Sequence, residues 1–470
     1  METGITQAAA HAAPGGATFW TATAIFVVAY AVIISDKIHK TTVALVGASL
    51  MLLLKILQQD EAFRSVTTSD TLGKLFDPRD LGVDWNVIFL LISMMIIINI
   101  MRPTGVFEYL AIKSAKVGKG EPIRIMLILA TLTAIVSAFL DNVTTVLLIA
   151  PVTLAVARDL KVDAIPYLIA EALASNIGGT ATLIGDPPNI MIASRAGLSF
   201  MDFVYHLTPC IILVMIAFLI VIKLVFGKRL KTTPELKAQV MQMNEREAIK
   251  DKPLLIKSLV VLVLVLAGFV LHSALGFEPA TIALCGAALL LLISGIKEPH
   301  RVLADVEWAT LFFFIGLFII VGGVVKVGLI TWMSQQVLAL THKNMLATSM
   351  AVMWLSAILS AVIDNIPYVA TMNPLIVDMA KQIWPNETGA ALLQHAQLMP
   401  VWWSLALGAC LGGNGTAIGA SANVIVVGMS EKAGNRITFA RFFLYGFPIM
   451  ILTVIIATIY VWLRYYVLNW

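Results

Sequence analysis

Long apolar runs alternate with short polar loops along the whole chain. A run of about 20 apolar residues can cross a bilayer as an α-helix, whose backbone groups are hydrogen-bonded within the segment. The pattern predicts crossing helices and lacks the alternation typical of a β-barrel. The predicted helices are residues 18–35, 39–57, 84–101, 166–193, 204–226, 254–275, 278–294, 307–325, 402–429 and 442–466.

Four apolar segments are interrupted by polar or helix-breaking residues. The run GTATLIGDPPN, from Gly179 to Asn189, stands inside helix 166–193, and GGNGTAIGASAN stands inside helix 402–429. Glycines and prolines do not sustain the helical hydrogen-bond ladder, so each of these helices is predicted to consist of two half-helices. The segments 122–158 and 346–380 each carry an Asp-Asn pair near the middle and are predicted to be hairpins.

The two halves of the chain repeat similar blocks in the same order. VDWNVIFLLISMMIIINI from Val83 matches VEWATLFFFIGLFIIVGG from Val306, and SAFLDNVTTVLLIAP matches SAVIDNIPYVATMNP, both at an offset of 223 residues. NIGGTATLIGDPPN matches LGGNGTAIGASAN at 234, and LSFMDFVYHLTP matches ITFARFFLYGFP at 239. The matched positions are polar or helix-breaking, which chance likeness between apolar helices does not explain. An internal duplication is therefore predicted.

Each half contains five predicted crossings. Because five is odd, the second half must enter the membrane in the opposite sense to the first, which makes the halves inverted repeats. The predicted fold is an all-α polytopic membrane protein of two inverted repeats, each with five transmembrane helices, a re-entrant hairpin and one interrupted helix. The predicted parts are an external N-terminal tail (1–17), a first repeat (18–226), a cytoplasmic linker (227–252) and a second repeat (253–470).

Basic loops predict the orientation, since they are retained in the cytoplasm. They place DKIHK after the first helix, IKSAKVGKGEPIR, the linker and GIKEPHR on the cytoplasmic side. The acidic loop from Asp60 to Asp84, WPNETG and both termini are then external. The first hairpin has basic residues at both ends, so it is expected to enter and leave on the cytoplasmic side, and its counterpart on the external side.

Composition agrees with a membrane protein and excludes several other classes. Of the 470 residues, 59% are hydrophobic and 13% charged, and the mean hydropathy is +0.90. The net charge of +4 lies mostly in loops and bears on topology rather than on a nucleic-acid partner. Cys210, Cys285 and Cys410 show no CxxC spacing, which argues against a disulfide framework. The N-terminus has no basic region before its first apolar run, so no cleaved signal peptide is expected.

The hairpin tips and helix breaks are predicted to meet in one central binding site. Half-helix ends offer unpaired N–H and C=O groups near the bilayer midplane, where anions and cations can bind. A carboxylate at membrane depth is costly enough that a functional role is the default expectation. The predicted proton-coupling residues are Asp141, Asp364, Asp186 and Glu171.

Amides, hydroxyls and exposed backbone at the same segments can supply neutral ligands to a substrate. The predicted substrate-binding residues are Asn142, Thr144, Asn176, Gly178, Gly179, Thr180, Thr182, Gly185, Asn189, Asn365, Gly412, Gly413, Asn414, Thr416, Gly419, Ser421 and Asn423.

Each of these roles has a structural alternative. Asp141, Asp364 and Asp186 can cap half-helices, and Glu171 can lie at the membrane interface. The amides and hydroxyls can satisfy backbone groups that the breaks leave free. Cys410 is favoured as a small packing residue over a thiol ligand.

The sequence predicts a transporter rather than an enzyme. An intramembrane hydrolase needs a nucleophile and a base, and the chain shows no such set. An inverted repeat with two helix breaks suits alternating access better. No cofactor and no resident metal are predicted, and no nucleotide-binding loop is present.

The motifs SAFLDNVTTVLLIAP, ASNIGGTATLIGDPPNIMI, VIDNIPYVATMNP and GACLGGNGTAIGASANVIVVG together resemble the ion transporter superfamily. The resemblance is to the branch that joins the ArsB arsenite permeases, the NhaD sodium/proton antiporters and the melanosomal P protein. Dicarboxylate carriers of the superfamily have Ser-Asn-Thr at each hairpin tip, whereas this chain has Asp141 and Asp364 in place of the serines. The two added negative charges would repel a dicarboxylate, which argues against such a substrate and favours proton antiport.

The resemblance is closest to ArsB. It implies efflux of arsenite and antimonite in exchange for protons, across the inner (plasma) membrane. Sodium/proton antiport of the NhaD type and an organic or inorganic anion carrier are the alternatives. The resemblance also implies a mobile transport region, a homodimer and a soluble ATPase partner that the linker could dock.

Overall fold

The computed structural model describes residues 16–35, 37–63 and 81–468. Most of the predicted external tail, residues 64–80 of the acidic loop, Asp36 and the last two residues lie outside the described part of the chain. Every regular element within the described part is helical.

Up to the linker, the described residues form eleven α-helices. They are α1 (Ala17–Ser35), α2 (Lys40–Leu53), α3 (Gln59–Ala62), α4 (Trp85–Met101), α5 (Val106–Val117), α6 (Pro122–Phe139), α7 (Asn142–Asp159), α8 (Ile165–Gly179), α9 (Pro187–Ala196), α10 (Phe200–His206) and α11 (Thr208–Phe226).

Among the described residues, the linker contains one short α-helix and the second half eleven α-helices. They are α12 (Pro234–Gln242) in the linker, then α13 (Lys252–Leu275), α14 (Pro279–Ser294), α15 (Pro299–Ala304), α16 (Trp308–Lys326), α17 (Leu329–Leu340), α18 (Met345–Val362), α19 (Asn365–Ile383), α20 (Gly389–Leu393), α21 (Met399–Gly412), α22 (Ser421–Lys432) and α23 (Phe439–Val461).

Among the described residues, nine helices are long and apolar enough to cross a membrane. They confirm an all-helical, multi-pass membrane protein. Three of the nine are the hairpin arms α6, α7 and α18, so helix length does not distinguish a re-entrant hairpin from two crossings, and re-entry stays a prediction. The nine segments are Ala17–Ser35, Trp85–Thr104, Pro122–Phe139, Asn142–Asp159, Thr208–Phe226, Lys252–Leu275, Trp308–Lys326, Met345–Val362 and Phe439–Val467.

The structure confirms the predicted helix breaks. Helix α8 ends at Gly179 and α9 begins at Pro187, while α21 ends at Gly412 and α22 begins at Ser421. In each hairpin only two residues separate the arms, Leu140 and Asp141 in the first and Ile363 and Asp364 in the second. The non-helical backbone therefore occurs at the four places where the sequence interrupts its apolar runs.

The sequence analysis missed α5 and α17, which follow α4 and α16. At 12 residues each they are too short to span a bilayer, and they mix polar with apolar positions. Their bounds differ by the same 223 residues that separate the matched sequence blocks. They extend the repeat to elements that hydropathy alone does not mark.

Matched hydrogen bonds within the two halves support the duplication. In each half a hairpin serine donates to a carbonyl of the broken helix, and a threonine of the break donates back to a hairpin carbonyl. The opposite membrane orientation of the halves stays a prediction. The pairs are Ser137 to Ser175 (2.7 Å) and Ser360 to Ala409 (2.6 Å), and Thr182 to Ala138 and Thr416 to Ala361.

The linker packs against the first half through two ion pairs. Lys116 Nζ lies 2.7 Å from Glu245 Oε2, and Lys237 Nζ lies 2.6 Å from Glu121 Oε1. The hydrogen bond from Lys116 holds the pKa of the Glu245 carboxyl below its ordinary value. The linker is thus seated on the end of α5 and the start of α6 rather than extended away from them.

Close helix contacts position the broken helices against the hairpins. A Cβ added to Gly178 would lie 2.0 Å from the Ala134 carbonyl oxygen, and one added to Gly412 would lie 2.5 Å from the Ala357 carbonyl oxygen. Only glycine permits this approach of α8 to α6 and of α21 to α18.

We expect Gly178→Ala to destabilise the protein by about 1–3 kcal/mol, because the added methyl group must separate α8 from α6. The melting temperature of the purified protein in detergent, followed by tryptophan fluorescence, measures this loss. Gly428→Ala is the matched control, since a Cβ there has no neighbour within 4 Å. Equal melting temperatures for the two variants would show that the packing at Gly178 is not limiting.

Candidate functional site

A cavity of about 300 Å³ lies between the two hairpin tips, the starts of α9 and α22, the end of α1 and the start of α2. It extends from the exposed His39 to the buried Asp186. The hairpins and breaks are therefore brought together, as predicted. The polar residues that line the cavity are His39, Lys40, Asp141, Asn142, Asp186, Glu307, Thr310, Asp364, Asn365 and Ser421.

Asp141 stands at the tip of the first hairpin, where it caps the N-terminus of α7. Its carboxylate accepts hydrogen bonds from the Thr144 backbone N–H (2.8 Å) and from Thr144 Oγ1 (2.5 Å). The residue is 8% exposed. The Asp141 side chain therefore both caps α7 and lines the cavity.

Asp364 occupies the matching position at the tip of the second hairpin and has a different environment. It caps α19 through the Ile366 N–H at 3.2 Å. Lys40 Nζ lies 2.7 Å from Oδ2 of Asp364, and Ser421 Oγ donates to the same oxygen at 2.8 Å. Lys40 also donates to Ser421 Oγ at 2.7 Å. Asp364 is therefore compensated by a lysine.

Asp186 and Glu307 complete the acidic lining. Asn365 Nδ2 donates to Asp186 Oδ2 at 3.2 Å, which joins the second hairpin tip to the break in the first half. Glu307 precedes α16 and accepts a hydrogen bond from Thr310 Oγ1 at 3.2 Å. Both carboxyl groups face the cavity.

Three of the four lining carboxyl groups form no ion pair within the described part of the chain: Asp141, Asp186 and Glu307. Burying a carboxylate away from water costs several kcal/mol unless a cation or hydrogen-bond donors compensate it. Such a cavity can bind protons or other cations. It repels an anion that arrives without a counter-ion.

Sequence reasoning missed His39, Lys40 and Glu307. Lys40 belongs to DKIHK, which was interpreted only as an orientation signal, and Glu307 stood at the start of a predicted helix. One signal for Glu307 was available, because it aligns with Asp84 in the matched blocks VDW and VEW. No local pattern links Lys40 to a residue that follows 324 positions later.

Four predicted ligands form a buried amide network, and three of them do not line the cavity. Asn176 is its centre and joins the first hairpin tip to the break in the second half. The bonds run from Asn142 Nδ2 to Asn176 Oδ1 (3.0 Å), and from Asn176 Nδ2 to Asn414 Oδ1 (2.9 Å) and Asn423 Oδ1 (3.0 Å). Of the four, only Asn142 also reaches the cavity.

Other predicted ligands satisfy the broken backbone, which is the alternative the sequence left open. Asn189 Nδ2 donates to the Thr182 carbonyl at 2.9 Å, and Asn423 Nδ2 donates to the Thr416 carbonyl at 2.9 Å. Thr180 Oγ1 donates to the Asn176 carbonyl at 2.7 Å. The predicted glycines pack closely against backbone at the breaks and also lie outside the lining: Gly178, Gly179, Gly185, Gly412, Gly413 and Gly419.

Three further candidates lie outside the cavity lining. Glu171 is buried within α8 and accepts a hydrogen bond from Thr153 Oγ1. Thr144 contacts the cavity only through Asp141. Cys410 is buried, with its Sγ 3.6 Å from Asn189 Oδ1. The structure thus brings together Asp141, Asn142, Asp186, Asp364, Asn365 and Ser421 from the predicted set.

Comparison with known proteins shows the family. The sequence matches the citrate transporter family CitMHS over residues 30–408. The chain belongs to this family. It is 46% identical to an uncharacterised transporter of Mycobacterium tuberculosis over 447 residues, which cover 95% of this chain and 99% of the relative. It is 45% identical to the 46 kDa membrane protein of Mycobacterium leprae over 445 residues, covering 95% and 98%.

The chain is also 31% identical to the P protein of Homo sapiens over 525 residues, which cover 96% of this chain and 60% of that protein. The resemblance to the ion transporter superfamily is confirmed, and ArsB-type specificity stays a prediction. The family and its relatives show a membrane transporter and not an enzyme. With nine candidate spans in the described chain, it is a multi-pass plasma-membrane protein.

We expect Asn176→Leu to destabilise the protein, because it leaves the amides of Asn142, Asn414 and Asn423 without their shared partner. Each unsatisfied buried group costs about 1–3 kcal/mol. The melting temperature in detergent measures the loss, with the exposed Asn386→Leu as the control. Similar melting temperatures for both variants would contradict a stabilising role for the network.

Proposed function

We propose that this chain is a proton-coupled secondary transporter in which the cavity carboxyl groups take up and release the coupling protons. The observation that carries the proposal is that Asp141, Asp186 and Glu307 share one cavity and form no ion pair within the described residues. Carboxyl groups in such an environment bind protons more readily than at a surface. Their protonation would therefore change with the side to which the cavity opens.

An uncharged oxyacid is the substrate class that fits this lining. Arsenite is mainly a neutral trihydroxide near neutral pH, and antimonite is similar, so neither adds charge to the cavity. Asn142 and Asn365 can donate to and accept from such hydroxyl groups, as can the carboxyl groups. We propose efflux of arsenite or antimonite in exchange for protons.

A second candidate is a carrier of citrate or a related polycarboxylate. Two observations favour it: the match to the citrate transporter family, and the Lys40 ammonium group at the cavity wall. A polycarboxylate would need protons or an accompanying cation to neutralise the cavity acids. Sodium/proton antiport uses the same oxygen ligands and is a further outcome of the test. The homodimer and the soluble ATPase remain predictions from the resemblance.

Purified protein in liposomes with an internal pH dye distinguishes these functions. Labelled arsenite and labelled citrate are supplied outside, with an acidic interior, in the presence and absence of sodium. Arsenite uptake with proton exit and without a sodium requirement would support the first candidate. Citrate flux coupled to protons would support the second, and sodium-evoked proton exit alone would indicate antiport. No proton flux with any of these ions would overturn the proposal.

We expect Asp141→Asn to abolish coupled flux, because an amide keeps the shape of the side chain but cannot exchange a proton. Asp159→Asn is the matched control, since Asp159 lies just at the other end of α7 and outside the cavity lining. Proton movement per substrate is measured in the same liposomes. Normal coupling in Asp141→Asn would remove this residue from the coupling set.

Replacement of Cys210, Cys285 and Cys410 by serine is expected to leave transport largely intact. None of the three thiols is among the residues that line the cavity, so a substrate bound there meets no thiol of the described residues. Arsenite flux into liposomes tests this expectation. Complete loss of flux in a variant with the wild-type melting temperature would indicate a thiol ligand.

A further inference from the structure

The two related hairpin carboxylates have different partners. Asp364 lies 2.7 Å from Lys40 Nζ and 2.8 Å from Ser421 Oγ. Within the described residues, Asp141 has Thr144 and backbone N–H groups as its hydrogen-bond partners. The two residues are 223 positions apart in matched blocks, so a symmetric duplication has become asymmetric at its charges.

The asymmetry reflects different residues at matched helix starts. Helix α2 begins at Lys40, whereas its counterpart α14 begins at Pro279. Helix α22 begins at Ser421, whereas its counterpart α9 begins at Pro187. Proline offers neither a cation nor a hydroxyl group. Both side-chain partners of Asp364 are therefore specific to one of the two matched positions.

The correspondence of α2 with α14 rests on contacts as well as on order. Helix α2 packs against α16, and α14 packs against α4. A Cβ added to Gly47 would meet Ile320 Cδ1 at 2.6 Å, and a Cβ added to Gly286 would lie 3.7 Å from Ile97 Cδ1. The two glycines are 239 residues apart, as are Lys40 and Pro279.

We propose that Lys40 is a tethered cation that occupies the Asp364 carboxylate in place of one coupling proton. This inference rests on the proposed function and assigns separate roles to the two hairpin carboxylates. Asp141 exchanges its proton with solution, whereas Asp364 receives its positive charge from the protein. The number of protons taken from solution is then one fewer than the number of cavity carboxylates.

The surroundings of Lys40 suit a fixed counter-ion. Its ammonium group lies 5.1 Å from the centre of the Phe313 ring, which holds a cation without neutralising it. The Lys40 and Asp364 side chains are 27% and 11% exposed, so water screens their attraction less than at a free surface.

Several titratable groups line the same cavity as the pair. They are His39 beside Lys40, Asp141 at the first hairpin tip, Asp186 before α9 and Glu307 before α16. Loss of the Lys40 charge would leave Asp364 with only a hydroxyl group and a backbone N–H as partners. Asp364 would then need a proton from solution, as the other three do.

The test compares Lys40→Met with Lys40→Arg and with the double variant Lys40→Met/Asp364→Asn. In liposomes with labelled arsenite or citrate as the probe, we expect Lys40→Met to lose about 10-fold in flux at alkaline pH, because a partly buried carboxylate is costly without its cation. The flux should recover on acidification, with a dependence on proton concentration that is steeper by about one proton. Lys40→Arg keeps the charge and should retain the wild-type steepness.

The double variant gives the decisive result. It removes both charges at once, so its flux at alkaline pH should exceed that of Lys40→Met, and its dependence on proton concentration should have the wild-type steepness. Lys37→Met removes a nearby exposed lysine and controls for the charge of the loop. A double variant as inactive as Lys40→Met, or an unchanged proton dependence in Lys40→Met, would overturn the inference.

Thermal stability supplies a readout that does not require transport. The melting temperature of Lys40→Met should fall relative to wild type, because Asp364 loses its ammonium partner. The double variant should not show this fall, and its absence in Lys40→Met would count against the inference. Failure of the proposed function can be distinguished from failure of this inference. The former appears as uncoupled flux in the wild type or as normal coupling in Asp141→Asn.

Discussion

Where a membrane helix is broken, its freed N–H and C=O groups must find partners inside the protein, because lipid offers none. At the two breaks, asparagine and threonine side chains donate hydrogen bonds to carbonyl groups of the same break or of the adjacent hairpin. Asn176 then connects one hairpin tip to the other half of the chain. The polar residues at the breaks are thus first a requirement of the architecture.

The same constraint decides which polar groups remain for function. Three of the four amides in the network lie outside the cavity lining, whereas the carboxyl groups at the hairpin tips and helix starts face the cavity. A helix start is a favourable place for a carboxylate, because its free N–H groups compensate part of the charge. Asp141 can therefore be stable as a cap and still change protonation at the cavity, whereas Asp364 is a cap whose charge Lys40 compensates. Structural and functional roles are combined at these two residues.

The two halves have similar backbone arrangements, but the residues at matched positions near the hairpin tips differ. Both halves retain the hairpin, the break and their mutual hydrogen bonds. The residues at the matched helix starts differ, with Lys40 and Ser421 at α2 and α22 and prolines at α14 and α9. A transporter that couples a fixed number of ions benefits from such inequality, since two equal sites would each demand an ion. The asymmetry changes the charges without changing the backbone arrangement.

The sequence by itself determined the all-helical membrane fold, the duplication, both breaks and the hairpin tips, because helix-breaking residues within apolar runs act locally. It also identified Asp141, Asp186 and Asp364, since a carboxylate at membrane depth is conspicuous in any hydropathy profile. Only the tertiary structure separated residues that line the cavity from those that satisfy backbone, such as Asn189 and Thr180. Only it placed Lys40 on Asp364, because a contact across 324 residues depends on how α2 packs against the second half and not on any local pattern.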